Sequence, residues 1–147
     1  MDGRQSIIRV AQAQFPAYYI RKSEGVDILI KVENLSFGSI TVGGKKYRRD
    51  VILLPDGTVK QRKGGFWMFG SHRFKRNELE ELTKAGADEI VIGTGTNSKA
   101  RLSNEAISYA GQSRLRLHTL PSYKAVPEFN NLVEVGKKVA AIIHITC

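Results

Sequence analysis

The chain has 147 residues, 41% of them apolar and 25% charged, with a formal net charge of +9. That length suits one domain with a sizeable core, and no apolar run approaches the ~20 residues of a membrane-spanning helix. A lone cysteine, Cys147, excludes an internal disulfide and makes a reducing cytoplasm the expected compartment. The opening "MDGRQSIIRV" lacks the basic-then-apolar layout of a secretory signal. Asp2, Glu24, Asp27 and Glu33 interrupt what a transit peptide keeps free of acids.

Residues 1–34 read as an N-terminal extension, partly strand or disordered, in which "VDILIKV" (26–32) is the strand-like piece. A single domain is expected over 35–147. It begins with "SITV" (39–42), the turn Gly43-Gly44 and "KKYRRDVILL" (45–54) as one long strand, since paired glycines tolerate the positive φ of hairpin turns. "PDG" (55–57) turns the chain again into "TVKQRK", completing an antiparallel meander. After Gly70 the apolar period lengthens to helical. In "NELEELTKAG", Leu79, Leu82 and Ala85 share a face and Gly86 is the stop. "DEIVIG" reads as a strand, then "RLSNEAISYAG" as a helix capped by Ser103. "LRLHTL" (115–120) alternates as a half-exposed strand does. "SYKAVPEFNNLVEVG" aligns Ala125, Val126, Phe129, Leu132 and Val133, and "KVAAIIHI" is apolar throughout, as in a strand covered on both faces. The predicted fold is α/β: an antiparallel β-meander followed by a βαβαβ parallel layer.

The run "EIVIGTGTNS" (89–98) invites comparison with a dinucleotide loop, but Ser98 stands where the third glycine belongs and the next helix starts only near Asn104. Gly93 and Gly95 are better explained by backbone geometry where the chain leaves the sheet. Ligands nevertheless collect at the carboxyl ends of parallel strands. Thr94, Ser122 (expected to cap a helix) and His144 all follow such ends, making a small-anion-binding protein, or an enzyme using that cleft, an alternative reading.

"FGSITVGGKKYRRDVILLPDG", "VIGTG" and "AVPEFNNLVEVGKKVAAIIHITC" together resemble the Mth-domain family, over residues 35 to 147. That family takes in an archaeal protein of unknown function, a human adipogenesis-associated Mth938 domain-containing protein and a mitochondrial complex I assembly factor. The resemblance implies a three-layer β/β/α fold, no cofactor, no established enzymatic activity and a role in protein association. By position, Asp50, Gly93, Gly95, Asn130, His144 and Cys147 match the family's most recognisable residues. Four positions depart from it: Gln61 replaces a frequent Trp, Lys75 a small polar cap, Arg114 a helix-ending Gly, and Pro127 enters the third helix.

No catalytic set emerges from the residues themselves. His144 and Cys147 are a base and a nucleophile by type, yet residues three apart on a strand point to opposite faces. His72, His118 and His144 lack metal-ligand spacing, so no metal site is expected, and His118 reads as solvated. Asp50 is expected to pair with Arg48 or Arg49 or to bond turn amides, and Asn130 to satisfy loop backbone groups. The densest surface signal is "RKGGFWMFGSHRFKR" (62–76). Residues 1–76 hold 15 Lys/Arg against 6 Asp/Glu, a net +9, whereas the remainder holds 8 of each. Phe66, Trp67 and Phe69 are therefore expected as apolar anchors for a protein partner or second copy, with Arg62, Lys63, Arg73 and Arg76 steering acidic partners. Core packing and weak single-stranded nucleic-acid binding are the other readings of this segment. The sequence as a whole reads as a non-catalytic protein-binding or assembly module.

Overall fold

The computed structural model describes residues 19–23, 26–30, 32–63 and 72–147. In chain order the strands are β1 (Tyr19–Ser23), β2 (Val26–Ile30), β3 (Val32–Ser36), β4 (Ser39–Val42), β5 (Lys45–Tyr47), β6 (Val51–Leu53), β7 (Val59–Gln61) and β8 (Arg73–Phe74). Helix α1 (Arg76–Lys84) follows. Next come β9 (Glu89–Gly93), β10 (Arg101–Leu102), α2 (Asn104–Gln112), β11 (Arg116–Leu120), α3 (Ser122–Glu134) and β12 (Val139–Ile143). The central sheet has the order β11-β9-β12-β6-β7. Its first three strands are parallel, with Val91 of β9 opposite His118 on one side and Ala141 on the other. β6 joins antiparallel to β12, and β7 antiparallel to β6.

Every residue of β9 and of β12 is buried. Both strands are covered on two sides, which is why they are apolar runs rather than alternations. Side chains still alternate between faces. Val51, Leu53, Val91, Val139, Ala141 and Ile143 pack with Ile40 and Val42 of β4 and with Ala125 and Phe129 of α3. Ile52, Ile90, Ile92, Ala140 and Ile142 pack with Leu79 and Leu82 of α1 and Ala106 and Ala110 of α2. The result is three layers: the sheet β3-β4-β5 together with α3, the five-stranded sheet, and the α1/α2 pair.

The meander differs from expectation in one respect. "KKYRRDVILL" is two strands in two sheets, because β5 pairs with β4 while β6 pairs with β12 and β7. Lys45 and Lys46 are exposed, whereas Val51, Ile52 and Leu53 are all buried. Residues 48–50 lie outside both strands and carry the chain from one sheet to the other.

Among the described residues the three helices end in the same hydrogen-bond pattern, which closes their last carbonyls. Ala87 N donates to Leu82 O, Leu115 N to Ala110 O and Lys137 N to Leu132 O, at 3.2, 3.0 and 3.0 Å. The left-handed residue before each donor is Gly86, Arg114 and Gly136. Arg114 thus holds φ 52° where its counterparts are glycines.

Candidate functional site

Asp50 lies at the corner where the chain passes between sheets, and its carboxylate is 13% exposed. Oδ1 accepts from the Ile145 backbone N–H at 3.0 Å. Oδ2 accepts from Arg62 Nη1 at 3.0 Å and His144 Nδ1 at 2.8 Å. The expected partners Arg48 and Arg49 are instead exposed. Arg62 follows β7, whose antiparallel pairing with β6 returns it to Asp50; the Arg62 N–H donates to Asp50 O at 2.7 Å.

Arg62, expected among the outward-facing cations, is only 6% exposed. Its Nε and Nη2 bond both Glu78 oxygens at 2.7 and 3.0 Å, and Nη2 also donates to Arg73 O at 2.9 Å. The guanidinium lies over the Phe74 ring at 4.5 Å, where cation and ring quadrupole attract. Burial alone would raise the Asp50 pKa, but the His144 bond and charge, the Ile145 N–H and Arg62 hold it below its ordinary value. Burial would likewise lower the Arg62 pKa, and Glu78 and Asp50 reverse that.

His144, 3% exposed, continues β12 and donates its backbone N–H to Gly93 O at 3.0 Å. Among the described residues the ring meets Asp50 on Nδ1, Thr146 Oγ1 at 3.2 Å from Nε2, and the His72 ring edge-on at 5.1 Å. An ionised carboxylate only accepts, so Nδ1 carries the proton and, in the neutral ring, Nε2 accepts from Thr146. His144 and Thr146 are two apart along extended chain and so share a face.

The backbone side of this segment is closed tightly. Ser122 Oγ donates to His144 O and accepts from Gly95 N at 2.8 Å. It caps no helix: Pro121 occupies that position, and Ser122 is the first residue of α3. A Cβ on Gly93 would lie 2.8 Å from Ser122 Oγ, and one on Gly95 (φ 106°) 2.3 Å from the Cys147 carbonyl carbon. Thr94 gives both N and Oγ1 to Leu120 O, at 2.8 and 3.1 Å. Cys147 O accepts from Asn97 N and Lys99 N at 3.2 and 2.9 Å. The Thr94 amide and the Ser122 hydroxyl suggested for an anion cleft are thus already bonded, the first to Leu120 O and the second to His144 O and Gly95 N.

Residues 32–144 match the model of a family described as a protein of unknown function (DUF498/DUF598). The chain belongs to this family. Its fold is similar to that of the solved structure MT938, with 31% identity, 79% of this chain and 97% of that one covered, and a TM-score of 0.66. Conserved hypothetical protein PH1505 from Pyrococcus horikoshii OT3 gives 26% identity, coverage of 80% and 99%, and a TM-score of 0.67. A Mth938-like domain from Bordetella pertussis shares the fold at 14% identity, with coverage of 78% and 84% and a TM-score of 0.57. The Mth938-like α/β fold expected from the three quoted segments is therefore the fold found.

In this Mth938-like chain Asp50, Arg62 and His144 meet in one network, with Gly93, Thr94, Gly95, Ser122 and Cys147 packed behind it. Asn130 is buried on α3. Lys63, Arg73 and Arg76 are exposed, while Phe66, Trp67 and Phe69 lie outside the described residues. Two members were not anticipated. Thr146 was legible from its spacing of two from His144. Glu78, sixteen residues from Arg62, carried no local signal. His118, expected in solvent, is half-buried and bonds the buried Glu89 at 2.9 Å. Among the described residues no helix is long and apolar enough to cross a membrane.

Proposed function

We propose that this protein is a cytoplasmic binding or assembly module that recognises an acidic protein partner through its cationic surface. The observation that supports this reading is how the cations divide. Arg62 is held inside by Asp50 and Glu78, whereas Lys45, Lys46, Arg48, Arg49, Lys60 and Lys63 are exposed, as are Arg73, Lys75 and Arg76. Among the described residues no ion pair engages Lys46, Arg48 or Arg49. Arg73, Lys75 and Arg76 line an open groove of about 480 Å³, with Glu80 and Glu105 also on its wall. β5 is a three-residue lysine-bearing edge strand, a form that resists strand addition. Recognition is therefore assigned to side chains.

The test is affinity purification of the native complex, then binding of the recovered partner to purified protein. Reversing Lys46, Arg48 and Arg49 to Glu should weaken capture at least about tenfold, mainly by slowing association. Changing Phe66, Trp67 and Phe69 to Ala tests the apolar anchors suggested by the sequence. Capture unchanged in both variants would sink the reading. Affinity for single-stranded nucleic acid that falls steeply with salt would replace it with the phosphate-binding alternative.

A further inference from the structure

We infer that Thr146, His144 and Asp50 form a nucleophile–base–orienter relay that makes the Thr146 hydroxyl reactive toward small activated carboxylic esters. A hydroxyl is a weak nucleophile on its own. It becomes useful when a base lies within hydrogen-bond reach and a third group fixes that base. Here Thr146 Oγ1 is 3.2 Å from His144 Nε2, and His144 Nδ1 is 2.8 Å from Asp50 Oδ2. The orienter is itself fixed, since Asp50 Oδ1 holds the Ile145 N–H and Oδ2 holds Arg62. The His144 ring is buried whereas Thr146 is only half-buried, so of the two residues Thr146 is the nearer to solvent.

The surroundings restrict the chemistry. Phosphoryl transfer calls for cations placed on the transferring group, and the Arg62 guanidinium is already bonded to Asp50, Glu78 and Arg73 O. Acyl transfer needs only a nucleophile and a base to begin. Thr146 Oγ1 attacks the carbonyl carbon of the ester as its proton moves to His144 Nε2. The tetrahedral adduct then collapses, the ester C–O bond breaks, and the alcohol or phenolate leaves with the electron pair of that bond. The acyl group remains on Oγ1, and the proton on Nε2 passes to the leaving group or to water. Thr146 is the catalytic residue, His144 the general base and Asp50 a positioning residue.

The experiment treats the full chain, carrying Cys147→Ser to remove the neighbouring thiol, with 4-nitrophenyl acetate. Nitrophenolate release is followed together with peptide mass mapping. The expected result is one acetyl group on the peptide bearing Thr146, absent in T146V. H144Q should slow release by about 10²-fold or more. D50N presents an amide that can donate to Nδ1 and so favours the wrong tautomer. It should slow release by about 10³-fold, whereas D50E, which keeps a carboxylate acceptor for Nδ1, should recover part of that rate, a rescue that a purely structural role would not give. Thermal melts of each variant identify any that fail to fold, and T146V, conservative and half-exposed, carries the decision alone if D50N does not fold. Acetylation confined to lysines, labelling of T146V equal to that of the parent, or no acetylation at all would each overturn the relay.

Discussion

Arg62 stands between two carboxylates and a backbone carbonyl with its side chain 6% exposed. Removing one member of such a set leaves the other charges buried and unpaired, which costs far more than the pair contributes. Arg62→Met keeps the stem against Phe74 and removes the charge. Urea denaturation should show a loss of about 3–5 kcal/mol, and a loss below about 1 kcal/mol would mean that water replaces the guanidinium. Asp50 makes a prediction in pH. Its folded pKa lies below the ordinary 3.8, so its contribution is complete above that value and is lost as pH falls through the lower, folded one. D50N should therefore be less stable than the parent at neutral pH. Its stability should also fall less steeply below pH 3.8, as read from melts across the acid range. At this scale the sequence was partly legible: Asp50 and His144 drew attention by type and position. Arg62 reads as a surface cation yet is buried, because its partners lie 12 and 16 residues away and no local pattern records them.

At the scale of elements, α2 carries a strained ending. Arg114 adopts φ 52° where α1 and α3 use Gly86 and Gly136, and the left-handed conformation costs a residue with a Cβ about 1–2 kcal/mol. Glycine avoids that cost but is freer when unfolded. Arg114→Gly should then gain about 0.5–1 kcal/mol, seen as a rise of about 1–4 °C in Tm; no rise would show that Arg114 is compensated elsewhere. The helices and the strands β9, β11 and β12 could be read in advance because their apolar spacing changes cleanly from 3.6 to continuous or alternating. The division of β5 from β6 could not, since "KKYRRDVILL" holds neither Gly nor Pro and the break is imposed by two different neighbours. β8 and β10, two residues each, are too short for any period to register.

For the whole molecule, the main consequence of the layering is that two cores share one sheet. Phe129 belongs to the core under α3, and Leu82 to the core under α1. Each truncation to Ala should cost about 3–5 kcal/mol. Because β9 and β12 carry side chains into both cores, either change should shift the same single urea transition without altering its slope. Two separate transitions in either variant would mean that the layers unfold independently.

β12 is the sheet's last strand to be synthesised, yet it sits between β9 and β6. A growing polypeptide leaves the ribosome N-terminus first, so until residues 139–143 emerge the edges of β6 and β9 that β12 covers lack their native partner. Such edges are templates for pairing with the wrong chain. Nascent copies of this protein are thus exposed to misassembly until Val139–Ile143 has been made, and a premature stop before Val139 leaves that hazard permanent.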